Sequence, residues 1–366
     1  MDWERLWKHP PPLSLRGLAW LYATGWRVYE SLYRWGFKRR VRLPVPVVGV
    51  GSLLVGGAGK TPVAIAIARW LRDSGRRVAV LCSGYGGRRW REITLLAPDM
   101  QPDPLEVGDE PVEILHALRD VPVAVGRRRV AVARAAIARW QPDVLVLDDG
   151  FQHLPLARTV DLVVLPAERP FGNGYCLPAG PLREPPSGLK RADAILVVQT
   201  TLSSLPQHER GVGGEIEKCQ DRQQIYLSPL PQRGRGVGGE GLPSFEALIE
   251  PEGLQELATG RWLPPDALRG CEVVAVAGIA RAHRFVQTAQ QLGMQVVDTR
   301  LFPDHYAFAR EEWSWARGRT LLTTAKDAPK LRSRLPTDCQ AYALHIHARL
   351  EPAFCSWLLE RLTHAV

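Results

Sequence analysis

The sequence lacks several features that would place it in a common class of protein. Its six cysteines are scattered without a CxxC pair, which excludes a typical zinc site and favours a reducing compartment over a disulfide framework. No run is apolar and long enough to span a bilayer, and the N-terminus lacks the apolar core of a secretory signal. The function must therefore be sought in motifs other than cysteine pairs or a secretory signal.

Size and charge set the next limits. The 366 residues suit two domains of ordinary size, and a content of 45% hydrophobic and 23% charged residues is typical of a globular chain. The formal net charge of +9 indicates an acidic partner, which could be nucleic acid, an anionic membrane or a phosphorylated substrate. Charge alone does not choose among the three.

The most informative motif is a glycine-rich turn between a β-branched run and an apolar-periodic segment. In such a turn the backbone amides surround nucleotide phosphates, the lysine adds a charge and the threonine hydroxyl binds Mg²⁺. Leu54 stands where the strict pattern has glycine, and the alternative is a chance Lys-Thr after a glycine-rich turn. The candidate ATP-binding residues are Val55, Gly56, Gly57, Ala58, Gly59, Lys60, Thr61 and Pro62.

Two aspartates could complete this phosphate site. Asp148 and Asp149 follow the buried run 144–147, as in the Walker-B arrangement, where a strand-end carboxylate holds Mg²⁺ directly or through water. Because acids at a strand end also begin turns, the metal-binding interpretation of this pair depends on the Gly-Lys-Thr loop upstream. We therefore predict Asp148, Asp149 and Thr61 as metal-associated residues.

A second group of residues could handle the acceptor. Asp109 and Glu110 precede a predicted helix, where they could cap the helix or accept the proton of an attacking hydroxyl. A lone histidine is more often structural, but His305 would orient Asp109 as a base if the two met across a cleft. Arg183, in the Gly- and Pro-rich loop 171–185, could clamp an anion or simply pair with Glu184.

Strands and helices alternate along most of the chain, which predicts an α/β fold with a parallel sheet. We expect a P-loop domain over 43–200, a flexible linker over 201–244 that contains RGVGGE twice, and a smaller α/β domain over 245–366. The predicted strands are 45–49, 78–81, 121–125, 144–147, 162–165, 194–198, 273–277, 295–299, 320–324 and 342–346.

The first 42 residues predict an amphipathic helix. Its charges exclude a spanning segment, whereas its aromatic residues and the basic run 38–40 favour a helix that lies in a membrane interface. The alternative is a helix packed on its own domain. The apolar stripe, at alternating steps of three and four, is Leu18, Leu21, Gly25, Val28, Leu32 and Trp35.

Taken in order, these motifs resemble those of the tetraacyldisaccharide 4′-kinase family, over about 13–362 apart from 200–244. The family has an arginine directly before the Gly-Tyr-Gly motif, and this chain has Ser83 at that position. The positive charge of that arginine is therefore absent here. The matching segments are VGGAGKTP at 55–62, GYGG at 84–87, VGDEP at 107–111, DDGFQH at 148–153, FGNG…LPAGPLREP at 171–185, LKRADA at 189–194, GIAR at 278–281, FPDHYAF at 302–308 and LLTTAKDA at 321–328.

The resemblance implies ATP- and Mg²⁺-dependent phosphorylation of the 4′-hydroxyl of a tetraacylated glucosamine disaccharide 1-phosphate, which gives lipid IVA for lipid A synthesis. It implies that Lys60 serves the ATP phosphates, that Asp109 and His305 act on the hydroxyl, and that Asn173 and Arg183 face the lipid. It also implies peripheral attachment to the cytoplasmic side of the inner membrane, with no nucleic acid and no obligate protein partner.

Two other functions fit parts of the sequence. A P-loop GTPase or ATPase could bind nucleic acid through its basic face, but the Asn-Lys-x-Asp type of motif that base-specific GTPases carry is absent. A catalytically silent lipid-binding protein could keep the fold, but the complete set of lysine and acids argues against this possibility.

Overall fold

The computed structural model describes Trp7 and residues 10–200, 241–309 and 311–363. In this part of the chain, thirteen strands form one mostly parallel sheet in the order β11-β10-β12-β13-β8-β7-β6-β1-β5-β2-β4-β3, with β9 paired to β8. The strands are β1 Val47–Gly51, β2 Val78–Cys82, β3 Thr94–Leu96, β4 Val123–Val125, β5 Val144–Asp148, β6 Val160–Pro166, β7 Ala194–Thr200, β8 Ser244–Glu256, β9 Trp262–Leu263, β10 Glu272–Ala277, β11 Gln295–Leu301, β12 Thr320–Thr324 and β13 Gln340–Leu350.

Helices cover both faces of this sheet. Those of the described residues are α1 Leu13–Arg34, α2 Lys60–Asp73, α3 Pro104–Val107, α4 Asp109–Leu118, α5 Arg129–Trp140, α6 Ala282–Gln291, α7 Ala328–Leu331 and α8 Pro352–Thr363, with 3₁₀ turns at Pro186–Arg191 and Ser314–Ala316. The fold is therefore the mixed α/β class that the alternating pattern predicts.

The strands around β1 are buried on both sides. Strands β6, β1, β5, β2 and β4 run parallel. Helices α2, α4 and α8 pack on one face and α5 packs on the other, so each of these strands has two apolar faces. Double burial explains why they read as continuous Val- and Leu-rich runs rather than as alternating patterns.

Strand β8 was not predicted, and it changes how the two halves of the chain join. It pairs in parallel with β7 and antiparallel with β13, so one sheet continues through both halves. Pro251, Gly253 and several glutamates interrupt its sequence, which hides the strand from pattern reading. Ordered structure thus resumes well before residue 273, where the sequence pattern placed it. The division into domains stays a prediction, and the proposed linker lies mostly outside the described residues.

Helix α1 is shorter than the predicted segment, since it ends at Arg34. Most of its predicted apolar stripe faces outward: Leu18, Leu21, Val28 and Trp35 are between 54% and 65% exposed, whereas Leu32 is half-buried. The opposite side of the helix, around the buried Ala19, packs on the body of the protein. Among the described helices, none is both long and apolar enough to cross a membrane.

Gly51, the last residue of β1, lies in a closely packed part of the core. A Cβ atom on Gly51 would touch the side chain of Phe151 and lie 2.7 Å from its backbone nitrogen, which cannot move without shifting the strand-end turn. We therefore expect Gly51→Ala to lower the free energy of unfolding by about 1–3 kcal/mol. Urea titration measures this change.

Gly25→Ala serves as the matched control. Nothing lies within 4 Å of a Cβ atom at this helical position, and alanine is a better helix former than glycine. The control should gain about 0.5–1 kcal/mol. Equal stability of the Gly51→Ala protein and the unmodified protein would contradict the packing described here.

Candidate active site

The glycine loop joins β1 to α2 at the centre of the sheet. Gly56, Gly57 and Gly59 have φ angles of 63°, 60° and 83°, a left-handed region in which side chains are strained. Helix α2 begins at Lys60, so the unpaired amides of its first turn lie next to the loop. This arrangement is suited to bind phosphate.

Leu54 explains the one departure from the strict loop pattern. Its side chain is fully buried in a cluster that includes Phe151 and Leu182, and its backbone bridges to Leu182. The φ angle at this position is not in the left-handed region, so glycine is not required. Leu54 therefore anchors the start of the loop by packing.

Asp148 lies directly beside the loop. It ends β5, where the parallel register pairs it with Val50 of β1. Thr61 Oγ1 donates a hydrogen bond to Asp148 Oδ2 at 2.9 Å. Burial raises the pKa of Asp148, and the charges of Glu110 and Asp149 raise it further.

The pair formed by Thr61 and Asp148 fits the chemistry of Mg²⁺. The ion prefers oxygen ligands and is usually held by one or two carboxylates together with phosphate oxygens and water. A bound cation would also offset the buried charge of Asp148. The described residues contain no cluster of three or more His, Cys, Asp or Glu side chains that could hold a metal without such help.

Asp149 contacts two cations. Arg183 Nη1 lies 2.8 and 2.7 Å from its two carboxylate oxygens, and Lys60 Nζ lies 3.6 Å from Oδ1. Burial raises the pKa of Asp149, but the charges of Lys60 and Arg183 outweigh burial and lower it. Asp149 is therefore an ionised partner of the loop lysine, and its predicted contact with metal stays a prediction.

The loop 171–185 does not contain the pair between Arg183 and Glu184 that the sequence offered as an alternative. Arg183 pairs with Asp149 rather than with Glu184. Asn173 closes a turn, since its amide donates to the Ala179 carbonyl at 2.9 Å and its Oδ1 accepts from the Tyr175 amide at 3.2 Å. The roles of Asn173 and Arg183 toward a lipid stay predictions.

Asp109 and His305 meet, although 196 residues separate them in the chain. Asp109 begins α4 and is buried, and its Oδ2 lies 3.2 Å from Nδ1 of His305. His305 follows β11 with a φ of 62°, an unusual conformation for a residue other than glycine. The rings of Tyr85 and His305 pack in an edge-to-face arrangement, with centroids 5.7 Å apart. The geometry is that of a carboxylate and its orienting histidine.

Lys330 is a further member of this group that the sequence did not reveal. Its buried Nζ lies 3.0 Å from Asp109 Oδ2, 2.8 Å from Asp327 Oδ1 and 3.0 Å from the Tyr306 carbonyl. Burial raises the pKa of Asp109, but the hydrogen bond of His305 and the charge of Lys330 outweigh burial and lower it. Asp109 is thereby held ionised.

Both contacts to Asp109 fall on Oδ2. In the described part of the chain, no group is seen to donate to Oδ1. One carboxylate oxygen is thus fixed by two donors, while the other can accept a hydrogen bond from a substrate.

The C-terminal half of the chain also reaches the glycine loop. Arg281 Nη1 donates to the Gly57 carbonyl at 3.3 Å, and Ala280 lies against Gly56. A Cβ atom on Gly57 would come within 2.8 Å of the Arg281 side chain, so glycine is needed here for this close approach as well. The two halves therefore share one site.

These features define the class of the protein: a P-loop phosphotransferase with a buried carboxylate–histidine pair at its phosphate loop. Comparison with known proteins then gives the particular family. Residues 12–363 match the model of the family described as tetraacyldisaccharide-1-P 4′-kinase. The chain belongs to this family.

Curated relatives and a solved structure agree with the family model. A tetraacyldisaccharide 4′-kinase from Syntrophus aciditrophicus is 35% identical over 95% of this chain and 94% of its own length. One from Anaeromyxobacter dehalogenans is 39% identical over 90% of this chain and 85% of its own. The crystal structure of LpxK from Aquifex aeolicus in complex with ATP superposes with a TM-score of 0.72 at 28% identity, over 94% of this chain and 97% of that one.

The charge balance around Lys330 gives a prediction. Lys330→Met removes the cation that two buried carboxylates share, while Asp109 stays buried, so its pKa rises. We expect the free energy of unfolding at neutral pH to fall by about 3–5 kcal/mol, because an uncompensated charge is left inside. The loss should shrink toward acidic pH, since protonation of Asp109 removes that charge.

Urea unfolding between about pH 4 and pH 8 measures this dependence. Lys190→Met is the control, because Lys190 is exposed. A loss of stability that does not change with pH would contradict the proposed balance of charges.

Proposed function

We propose that this protein transfers the γ-phosphoryl group of ATP to the 4′-hydroxyl of a tetraacylated glucosamine disaccharide 1-phosphate, which gives lipid IVA for lipid A synthesis. One observation carries the proposal: in this member of the family, the buried Asp109 pairs with His305, whose neighbour Asp304 lies next to Gly56 of the phosphate loop. Asp304 lies 3.6 Å from His305 Nε2 and 3.9 Å from a Cβ atom placed on Gly56, so pair and loop belong to one site. A nucleic-acid-binding GTPase or ATPase is not favoured.

The cations of the site would neutralise the phosphates. Lys60 and the amides at the start of α2 would hold the β- and γ-phosphates, as in other P-loop enzymes. Arg183 engages both oxygens of Asp149, which leaves the Lys60 ammonium at 3.6 Å from that carboxylate rather than in tight contact with it. Lys60 thereby keeps its charge available for ATP.

Thr61 and Asp148 would hold Mg²⁺ on the same side of the loop. Such an ion would supply positive charge to offset the charge that develops on the phosphates during transfer. The raised pKa of Asp148 supports this role, because a buried carboxylate beside Glu110 and Asp149 is stabilised by a nearby cation.

Asp109 would act on the acceptor hydroxyl. Its Oδ2 is held by His305 and Lys330, so Oδ1 can accept the hydrogen bond of the sugar hydroxyl and then its proton. A carboxylate of lowered pKa is a weak base, so its main contribution would be to orient the hydroxyl in line with the phosphoryl group.

A cavity of about 440 Å³ next to the loop is suited to the sugar part of the acceptor. Three buried polar atoms in its lining have no hydrogen-bond partner in the structure: Arg129 Nε, Gln152 Oε1 and His153 Nε2. Buried polar atoms are nearly always paired, so these atoms favour a polar ligand. Burial and nearby arginines lower the pKa of His153 to about 4, which keeps it neutral.

The outer side of α1 would place the enzyme at its substrate. Leu18, Leu21 and Val28 are exposed on one side of this helix, and Trp35 is exposed directly after its end, which is the arrangement of a helix that lies in a membrane interface. The acyl chains of the acceptor would be in that membrane. We infer peripheral attachment to the cytoplasmic side of the inner membrane.

The acceptor role of Asp109 is tested by substitution. Asp109→Asn should lower kcat about 10²- to 10⁴-fold, because the group that orients and deprotonates the hydroxyl is lost, while ATP affinity is kept. Labelled ATP, Mg²⁺ and the lipid disaccharide 1-phosphate are incubated, and the bis-phosphorylated lipid is counted after chromatography. Asp99→Asn, at an exposed aspartate, is the control. Turnover unchanged in Asp109→Asn would remove Asp109 from the mechanism.

Attachment through α1 is tested with vesicles. Replacement of Leu18, Leu21 and Val28 by serine should weaken binding to anionic vesicles at least about 100-fold, because burial of each such side chain contributes about 1.5–3 kcal/mol. Flotation of the protein with the vesicles gives the bound fraction. Leu359→Ser, at an exposed leucine of α8, should float as the unmodified protein does. Undiminished flotation of the triple variant would refute the anchoring role.

A further inference from the structure

The carboxylate of Glu184 accepts hydrogen bonds from three separate segments of the chain. Its side chain is fully buried and accepts hydrogen bonds from Trp26 Nε1 at 2.9 Å, from Gln152 Nε2 at 2.8 Å and from Arg191 Nη2 at 2.8 Å. These donors come from α1, from the segment after β5 and from the 3₁₀ turn. The position of Glu184 is therefore fixed from three sides.

The preceding residue, Arg183, is held by its backbone. Its amide donates to the Leu53 carbonyl at 2.7 Å, and its own carbonyl accepts from the Tyr22 hydroxyl at 2.7 Å. The side chain extends from this clamped backbone to both oxygens of Asp149. The place of the Arg183 guanidinium thus depends on the contacts of residues 183 and 184.

Helix α1 supplies some of the contacts that hold residues 183 and 184, and these contacts come from one side of the helix. Tyr22, Trp26 and Glu30 follow each other at steps of four, and Glu30 pairs with Arg191 at 3.2 Å. Because a helix turns about 100° per residue, this stripe is on the side opposite to the exposed Leu21 and Val28. One side of the helix is thus free to meet lipid, and the other contacts the segment that carries Arg183.

We propose that Tyr22 and Trp26 are positioning residues of the phosphoryl-transfer site. They hold residues 183 and 184 so that the Arg183 guanidinium engages Asp149 and leaves Lys60 for the phosphates. If this segment shifts, the charge of Asp149 is balanced by Lys60 instead, which draws the ammonium from the nucleotide. The proposal rests on the role of Lys60 proposed above.

This role differs from that of a membrane anchor or a lipid contact. An anchor or a direct lipid contact changes the apparent KM for the lipid and leaves ATP binding without lipid unaffected. A positioning residue that acts through Arg183 and Asp149 changes ATP affinity even when no lipid is present. The two roles therefore separate in a measurement on the nucleotide alone.

The experiment uses the full chain and two conservative substitutions. Trp26→Phe keeps an aromatic ring but removes the indole N–H, and Tyr22→Phe removes only the hydroxyl. ATP dissociation constants are measured by calorimetry with Mg²⁺ and without lipid, followed by kcat and both KM values with lipid. We expect a rise of the ATP dissociation constant and a fall of kcat, each about 10- to 100-fold, as is typical when groups that orient a site are removed.

Trp20→Phe is the matched control, because this indole is on the same helix and 67% exposed. It should bind ATP as the unmodified protein does. Thermal unfolding of each variant shows whether the chain is folded, and Tyr22→Phe, the smaller change, covers the case in which Trp26→Phe does not fold.

The proposal is overturned if both variants bind ATP normally in the absence of lipid, or if Trp20→Phe weakens ATP binding equally. Failure of the proposed function would look different. In that case the unmodified protein would make no phosphorylated lipid, while the comparison of ATP affinities would still decide the role of Tyr22 and Trp26.

Discussion

The site depends on the pairing of buried and half-buried carboxylates with cations from other segments. Asp149 is paired with Lys60 and Arg183, Asp109 with Lys330, and Glu184 with Arg191. Each carboxylate alone would be costly to bury, and attraction offsets that cost only where geometry is good and further hydrogen bonds are made. The cations are therefore structural requirements as well as chemical groups. Arg183 and Lys330 lie 34 and 221 residues from their carboxylates in the chain, whereas Arg191 lies seven residues from Glu184.

Such pairing explains how one sheet can carry a site built from both halves. The parallel strands β1 and β5 end at the same edge, so the loop after β1 and Asp148 after β5 are neighbours by topology alone. Asp109 and Lys330 come from opposite halves of the chain, and their ion pair joins the two halves at the site. Strand β8 makes this closure possible, because it hydrogen-bonds to β7 on one side and to β13 on the other.

The sequence predicted what local patterns determine. The glycine loop, the buried strand that ends in Asp148 and the α/β alternation all have short-range signals. Lys330 and strand β8 have none, because a lysine in a four-residue helix and a glutamate-rich strand acquire their roles only from distant partners. The same reason explains Arg183: its neighbour Glu184 was the obvious partner in sequence, but Glu184 is taken by Trp26, Gln152 and Arg191, and the guanidinium reaches Asp149.

Helix α1 shows how the needs of a membrane-surface reaction could be met by one element. A kinase that acts on a lipid head group must hold a water-soluble nucleotide close to an interface. A helix with one exposed apolar side and one side bonded to residues 183 and 184 would, if it lies in the membrane interface as proposed, fix the distance between that interface and the phosphate loop. In these proposed roles its two sides are under different constraints. The outer side would need only apolar residues, whereas the inner side uses the hydroxyl of Tyr22 and the indole N–H of Trp26. Substitutions on the two sides would therefore separate lipid affinity from nucleotide affinity, although Leu21 and Tyr22 are neighbours in the chain.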